Sequence, residues 1–145
     1  MFDWNEYLQL AQQLSTLQTH AASRSAVSRA YYCAFHAASL SLQTNNVATN
    51  PKYQRDRHLR VWNIYILSSN KECRRIGNDG QRLKIARQSA DYDPKTEFSD
   101  TRVQRCISQA QNLVNNIGQN VPESFSVKPG FIGRAISLLK RALGK

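Results

Sequence analysis

The sequence predicts an all-α fold, an up-and-down bundle of four to five helices. Apolar residues recur at spacings of three and four along most of the 145-residue chain, which is the period of an amphipathic helix. No Asn-Gly or Asp-Gly turn joins two alternating strands, and Asp79-Gly80 lies instead between a polar and a basic segment. At this length, and with 41% apolar residues, one globular domain is expected.

The first helix is predicted over about residues 3–18, where Asp3 and Glu6 resemble a capping-box start. The second is predicted over about 23–43, and helical periodicity divides it into three faces. The core face holds Val27, Tyr31, Ala34, Phe35, Ala38 and Leu42. A strip of small residues holds Ala26, Ala30, Ala37 and Ser41. The face opposite the core holds Ser25, Arg29, Tyr32, Cys33, His36 and Leu40.

The remaining helices follow from the same signals. A third helix is predicted over about 53–69, after Pro51, with Trp62 and Tyr65 in its core stripe. Gly77-Asn78-Asp79-Gly80 predicts a break, and a fourth helix then covers about 81–90. A fifth runs from Ser99 or Asp100 to 117 and is ended by Gly118.

Two units are expected, a helical domain over 1–120 and a tail over 121–145. The tail has a linker rich in proline and glycine and then a short, basic, amphipathic helix. Such a helix docks on its own domain, on a partner, or on an anionic membrane surface, and protein is the favoured choice because the segment is short.

The positive charge is concentrated in two segments. The chain carries a net charge of +10, residues 51–90 carry ten basic and three acidic residues, and residues 128–145 carry five basic and no acidic residues. An anionic partner is therefore expected, with RNA first, although a solvated helix face is the alternative. The candidate RNA-binding residues are Arg55, Arg57, Arg60, Arg74, Arg75, Arg82 and Lys84.

Composition also excludes several classes. No apolar run approaches the roughly 18 residues of a membrane span, and acidic residues stand at the start where a signal peptide carries basic ones, so a cytoplasmic protein is expected. Cys33, Cys73 and Cys106 are odd in number and widely spaced, which predicts small buried residues rather than disulfides or zinc ligands. No metal site and no cofactor are expected.

The second helix also carries a recognisable motif. Its segment Ser28-Arg29-Ala30-Tyr31-Tyr32-Cys33-Ala34-Phe35-His36 strongly resembles the signature of HEPN-domain proteins, an Arg and a His separated by a short spacer, here of six residues. Downstream, Arg87-Gln88-Ser89-Ala90-Asp91-Tyr92-Asp93-Pro94 resembles a second segment of that family, and His58 and Trp62 fall where members often carry a His and a Trp. The resemblance covers about residues 3–118.

The resemblance implies a helical bundle that dimerises through the second helix. Many members are metal-independent endoribonucleases of prokaryotic toxin–antitoxin or antiviral defence systems, and Arg29 and His36 match their catalytic positions. Cleavage by the 2′-hydroxyl needs a proton carrier that titrates near neutrality and a cation on the phosphate, which suits His36 and Arg29. Tyr32 and Ser28 are expected to support the site; Arg87, Asp91 and Tyr92 either flank the cleft or only terminate their helix.

The resemblance leaves an alternative function open. Other members are non-catalytic modules that bind RNA, a nucleotide or a partner protein, such as a cognate antitoxin or a nucleotidyltransferase. Ala30 follows the motif arginine at a position where active members often carry Asn, Asp or His, and this somewhat favours the alternative. The ribonuclease remains the first hypothesis, because both the motif arginine and the motif histidine are present. A scaffold addressed by its tail to a membrane or a larger complex is a third possibility.

Overall fold

The computed structural model of the chain describes residues 1–48 and 55–124, and within these ranges every regular element is a helix. The predicted all-α fold is confirmed. The helices are α1 (Asn5–Ser15), α2 (His20–Thr44), α3 (Arg57–Ile66), α4 (Lys71–Tyr92) and α5 (Asp100–Ile117).

Helix α2 is the centre of the bundle. It packs against α1, α3, α4 and α5, and the further contacts run between α3 and α4, α4 and α5, and α1 and α5. Consecutive packed helices are joined by short connections over 16–19, 67–70 and 93–99, as expected of antiparallel neighbours. The predicted core face of α2 is buried throughout, and Trp62 and Tyr65 of α3 are completely buried, as expected.

Side-chain caps set most of the helix starts. Thr19 caps α2 by accepting a hydrogen bond from the Ala22 amide at 3.2 Å, and Asp56 caps α3 by accepting one from the Leu59 amide at 2.9 Å. Ser99 caps α5 as the sequence predicts, and Gly118 follows its last residue. Helices with such caps keep their first amides paired, so their boundaries are locally encoded.

The predicted break at 77–80 is wrong. Helix α4 runs without interruption from Lys71 to Tyr92, and both Gly77 and Gly80 lie inside it, buried. The third helix is also shorter than the predicted 53–69, because Asp56 caps it and the chain turns after Ile66; residues 53 and 54 lie outside the described ranges.

The two glycines serve packing between α3 and α4. A Cβ at Gly77 would lie 2.5 Å from the Ile66 amide nitrogen, and a Cβ at Gly80 would overlap the indole of Trp62, 2.6 Å from its Cδ2. Only glycine leaves room for the neighbouring helix at such a distance. The cost of glycine inside a helix, about 1 kcal/mol each, is therefore offset by tertiary contact.

All three cysteines are free and buried, as the sequence predicts. Past α5, the described part of the tail lies against the bundle: the Glu123 carboxylate accepts hydrogen bonds from the Ser68 hydroxyl and the Ser69 amide, and Ser124 Oγ accepts one from the Ala48 amide. The predicted amphipathic helix of the tail falls within 125–145, outside the described residues.

Arg24 ties α2 to the far end of α4. Its Nη1 donates to the carbonyls of Ser89 and Ala90, and its Nη2 donates to the carbonyls of Asp93 and Thr96, at 2.6 to 3.3 Å. These carbonyls belong to the last turn of α4 and the following loop, where several backbone acceptors have no helical partner; the Ser89 carbonyl also accepts from the Asp93 amide. One guanidinium thus satisfies a helix end and a loop at once.

We expect Arg24→Met to lower the free energy of unfolding by about 3 kcal/mol, because four charge-assisted hydrogen bonds to partly buried carbonyls are lost together. Urea unfolding followed by circular dichroism measures the change. Arg105→Met is the matched control, since Arg105 is an exposed arginine of α5 and such a change costs within about 0.5 kcal/mol. Equal losses for the two variants would show that Arg24 contributes no more than a surface charge.

Candidate functional site

Arg29 and His36 lie along one edge of α2, about 10 Å apart along the helix axis at 1.5 Å per residue. Both are half-buried. The guanidinium of Arg29 lies over the ring of Tyr7, 4.9 Å from its centroid, and over the ring of Tyr32 at 5.8 Å. The imidazole of His36 stacks on the indole of Trp4, with centroids 3.4 Å apart and planes 10° from parallel.

The middle of the face predicted to lie opposite the core is therefore covered, whereas Ser25 and Leu40 at its two ends are exposed. Helix α1 packs over its middle, and Cys33 is only 1% exposed. Aromatic residues of α1 and the segment before it surround the edge that carries the motif pair. What results is a half-buried aromatic cradle, defined here as Trp4, Tyr7 and Tyr32 around Arg29 and His36.

Burial sets the protonation of His36. Burial lowers the pKa of His36 to about 4, and the positive charges of Arg57 and His58 add to the shift. At neutral pH the imidazole is uncharged and holds a lone pair that can accept a proton.

Ser28, Arg87 and Asp91 meet beside Tyr32. The Asp91 carboxylate lies 3.5 Å from Arg87 Nη1 and accepts a hydrogen bond from Ser28 Oγ at 3.4 Å. The Arg87 guanidinium lies 5.2 Å from the centroid of Tyr31 and 5.5 Å from that of Tyr32. Four of the five residues predicted to support the site are thus brought together, whereas Tyr92 is 75% exposed and takes no part in this cluster.

His58 has a partner that sequence reasoning missed. The hydroxyl of Tyr31 and Nδ1 of His58 are 2.7 Å apart, and Trp62 Nε1 donates to the same hydroxyl at 3.2 Å. Burial raises the pKa of Tyr31 to about 12, so the hydroxyl keeps its proton at neutral pH. The sequence does contain a signal for this contact, because His58 and Trp62 stand at i and i+4 and therefore share a face of α3. It does not identify the partner, since Tyr31 lies 27 residues earlier in the chain.

The predicted RNA-binding residues do not form one surface. Arg57 and Arg60 line a groove of about 510 Å³ between α2 and α3, together with Ser39 and Gln43 of α2. Arg75 and Arg82 line another, of about 550 Å³, between α4 and α5, where Arg82 pairs with an aspartate of its own helix.

Three of the predicted cations have other surroundings. Lys84 is only 8% exposed and lies 3.8 Å from the Asp56 carboxylate. Arg74 Nη1 donates to the carbonyls of Ser68 and Ser69 in the turn between α3 and α4. Both therefore serve the fold in this structure, and Arg55 stands exposed before α3.

Within the described ranges, no cluster of three or more His, Cys, Asp or Glu side chains could hold a metal ion, and no helix is long and apolar enough to cross a bilayer. The model of one family, described as the HEPN domain, matches residues 5–120. No curated protein and no solved structure gives a significant match to the chain.

Proposed function

We propose, from the premise that the chain belongs to the HEPN-domain family, that it is a metal-independent endoribonuclease with Arg29 and His36 as its catalytic pair. The family includes ribonucleases and non-catalytic modules, so membership alone does not choose between them. The observation that carries the proposal is the presence of a guanidinium and an uncharged imidazole, two helical turns apart, on one half-buried edge of α2.

Each group suits one part of the reaction. The lone pair of neutral His36 accepts the proton of an RNA 2′-hydroxyl, and the resulting oxygen attacks the adjacent phosphorus. The planar fork of Arg29 binds the non-bridging phosphate oxygens as negative charge builds on them. The products are a 2′,3′-cyclic phosphate and a 5′-hydroxyl.

The position of Ala30 bears on the alternative function. Active members often carry a polar residue here, but in this chain Ala30 is fully buried in the bundle. A polar group at that position would lie in the core rather than in the aromatic cradle. The presence of alanine at position 30 therefore removes no polar side chain from the edge that carries Arg29 and His36.

The aromatic cover over His36 favours the second candidate, a non-catalytic module that binds RNA, a nucleotide or a partner protein. Trp4 occupies one face of the imidazole, and substrate must reach the other face or the ring edge.

Under either proposal the partners are RNA, a second copy of the chain, and a cognate antitoxin or nucleotidyltransferase. The setting is a toxin or defence system in the cytoplasm of a prokaryotic cell.

The test is cleavage of a labelled RNA by the purified protein in excess EDTA. We expect fragments with 2′,3′-cyclic phosphate and 5′-hydroxyl ends, and no cut at a site where the matched substrate carries a single 2′-deoxynucleotide, because the nucleophile is missing there. Cleavage that persists at the 2′-deoxy position would contradict the mechanism. Tight RNA binding with no cleavage would instead support the non-catalytic module.

A further inference from the structure

We propose that His58 is a second catalytic imidazole of the same site and returns a proton to the 5′-oxygen as the RNA strand breaks. This inference rests on the proposed ribonuclease function.

Two aromatic rings, those of Phe35 and Tyr32, each neighbour both His58 and His36. The ring centroid of Phe35 lies 4.1 Å from that of His58 and 5.2 Å from that of His36. The ring centroid of Tyr32 lies 6.0 Å from the first and 6.1 Å from the second. The two imidazoles, one from α2 and one from α3, thus share the same pair of neighbours.

Hydrogen bonds fix which nitrogen of His58 exchanges protons. An indole N–H can only donate, so the Tyr31 oxygen accepts a hydrogen bond from Trp62, and the same hydroxyl group is also hydrogen-bonded to Nδ1 of His58. Nδ1 is therefore engaged, and Nε2 is the nitrogen that exchanges protons with the substrate. When His58 is protonated, its Nδ1–H donates to the same oxygen, which has a second lone pair. Tyr31 is therefore a positioning residue that holds the ring in both states.

The step balances with two imidazoles. His36 takes the 2′-hydroxyl proton as the bond from O2′ to phosphorus forms. The bond from phosphorus to O5′ breaks, and its electron pair remains on O5′, which takes a proton from Nε2 of the His58 imidazolium. His36 ends protonated and His58 ends neutral, and exchange with water restores both.

The groove between α2 and α3 gives the strand a path along the turn of α3 that carries His58. Arg57 and Arg60 line it, and Arg57 directly precedes His58 in the chain. Arg57 lies against the site itself, 5.7 Å from the centroid of Phe35, and its Nη2 donates to Ser39 Oγ at 3.4 Å. These two cations on one wall of the groove can bind the RNA phosphate that follows the scissile phosphate.

The groups around His58 predict an acidic pH optimum. Burial lowers the pKa of His58, and the cations nearby lower it further against the opposing charge of one aspartate. The titratable and charged groups that face the ring from α2, α3 and α4 are Tyr31, Tyr32, His36, Asp56, Arg57, Lys84 and Arg87. Since the acid must be protonated and the base neutral, kcat/KM is expected to be largest below pH 6.5 and above about pH 4.

The experiment compares two RNA substrates that differ in one atom, the 5′-bridging oxygen or a sulfur in its place. We expect His58→Gln to cleave the oxygen substrate about 100-fold more slowly and to lose the alkaline limb of the pH profile. With the sulfur substrate its rate returns close to that of the wild type, because a thiolate leaves without a proton. His36→Gln stays slow on both substrates.

Two further variants complete the test. His20→Gln, an exposed histidine at the start of α2, is the matched control and cleaves both substrates at the wild-type rate. Tyr31→Phe keeps His58 and loses only the hydroxyl, so it tests the same step if His58→Gln fails to fold; sulfur is expected to rescue it as well. A defect of equal size on both substrates, or none on either, overturns the role of His58, whereas a wild type that cleaves no RNA overturns the proposed function itself.

Discussion

His36→Ala is expected to lower the rate of RNA cleavage by about 10²- to 10⁴-fold, the usual contribution of a general base. The fold should persist, because His36 lies on a half-buried edge and its main loss is the stack on Trp4, worth about 1 kcal/mol. Single-turnover cleavage and thermal unfolding of the same preparation separate the two effects. His20→Ala is the control, an exposed histidine about 24 Å away along the same helix.

The acid side of the pH profile carries a second signature of His36. Because burial lowers its pKa to about 4, kcat/KM should fall with a slope of one only below about pH 4, not below the ordinary value near 6.5. The same lowered pKa makes the stability of the fold depend on pH. Between pH 6.5 and about 4, His36 binds a proton in the unfolded chain but not in the folded one, so the free energy of unfolding falls as the pH drops through this range. Full activity in His36→Ala would end the assignment.

Gly80→Ala is expected to destabilise the bundle by about 3 kcal/mol, although alanine is the better helix former. The added Cβ would overlap the indole of Trp62, which is fully buried and bonded to Tyr31. Overpacking of this kind costs about 1 to 3 kcal/mol or more, and it exceeds the gain of about 1 kcal/mol in helix propensity. Urea unfolding followed by circular dichroism measures the difference.

The control for Gly80 is Gly118→Ala. No atom lies within 4 Å of a Cβ built at Gly118, and its φ of −65° suits any residue. The free energy of unfolding should stay within about 0.5 kcal/mol of the wild type. If Gly80→Ala were as stable as Gly118→Ala, the close approach of α3 and α4 would not depend on that glycine.

The contrast between these two glycines explains how far the sequence predicts the fold. Gly118 follows the last residue of α5, where the end of the apolar periodicity and the glycine itself both predict the end of a helix, and the predicted bounds of α5 agree with the structure to within a residue. Gly80 carries the same local signal beside Asp79, but glycine is needed there because of Trp62, 18 residues earlier. The windows of about 11 to 18 residues over which helical periodicity is assessed do not contain both residues. The continuous α4 was missed for this reason.

The candidate site likewise has a part that local sequence patterns predict and a part that depends on contacts between distant residues. The edge with Arg29 and His36 follows from periodicity on one helix, and the structure keeps the two side chains on that edge. The partners of Arg24 are backbone carbonyls 65 to 72 residues away, and the partner of His58 is a hydroxyl on another helix. Side-chain chemistry in the sequence cannot specify acceptors that only the packing brings near.

The stack of Trp4 on His36 gives the protein an optical reporter of its own. The chain holds two tryptophans, and Trp62 is fully buried against Tyr31. An imidazolium quenches the emission of an indole in contact with it, whereas a neutral imidazole does so far less. The emission of Trp4 therefore follows the charge on His36 directly, and fluorescence in a Trp62→Phe background reads the ionisation of the candidate base without any substrate present.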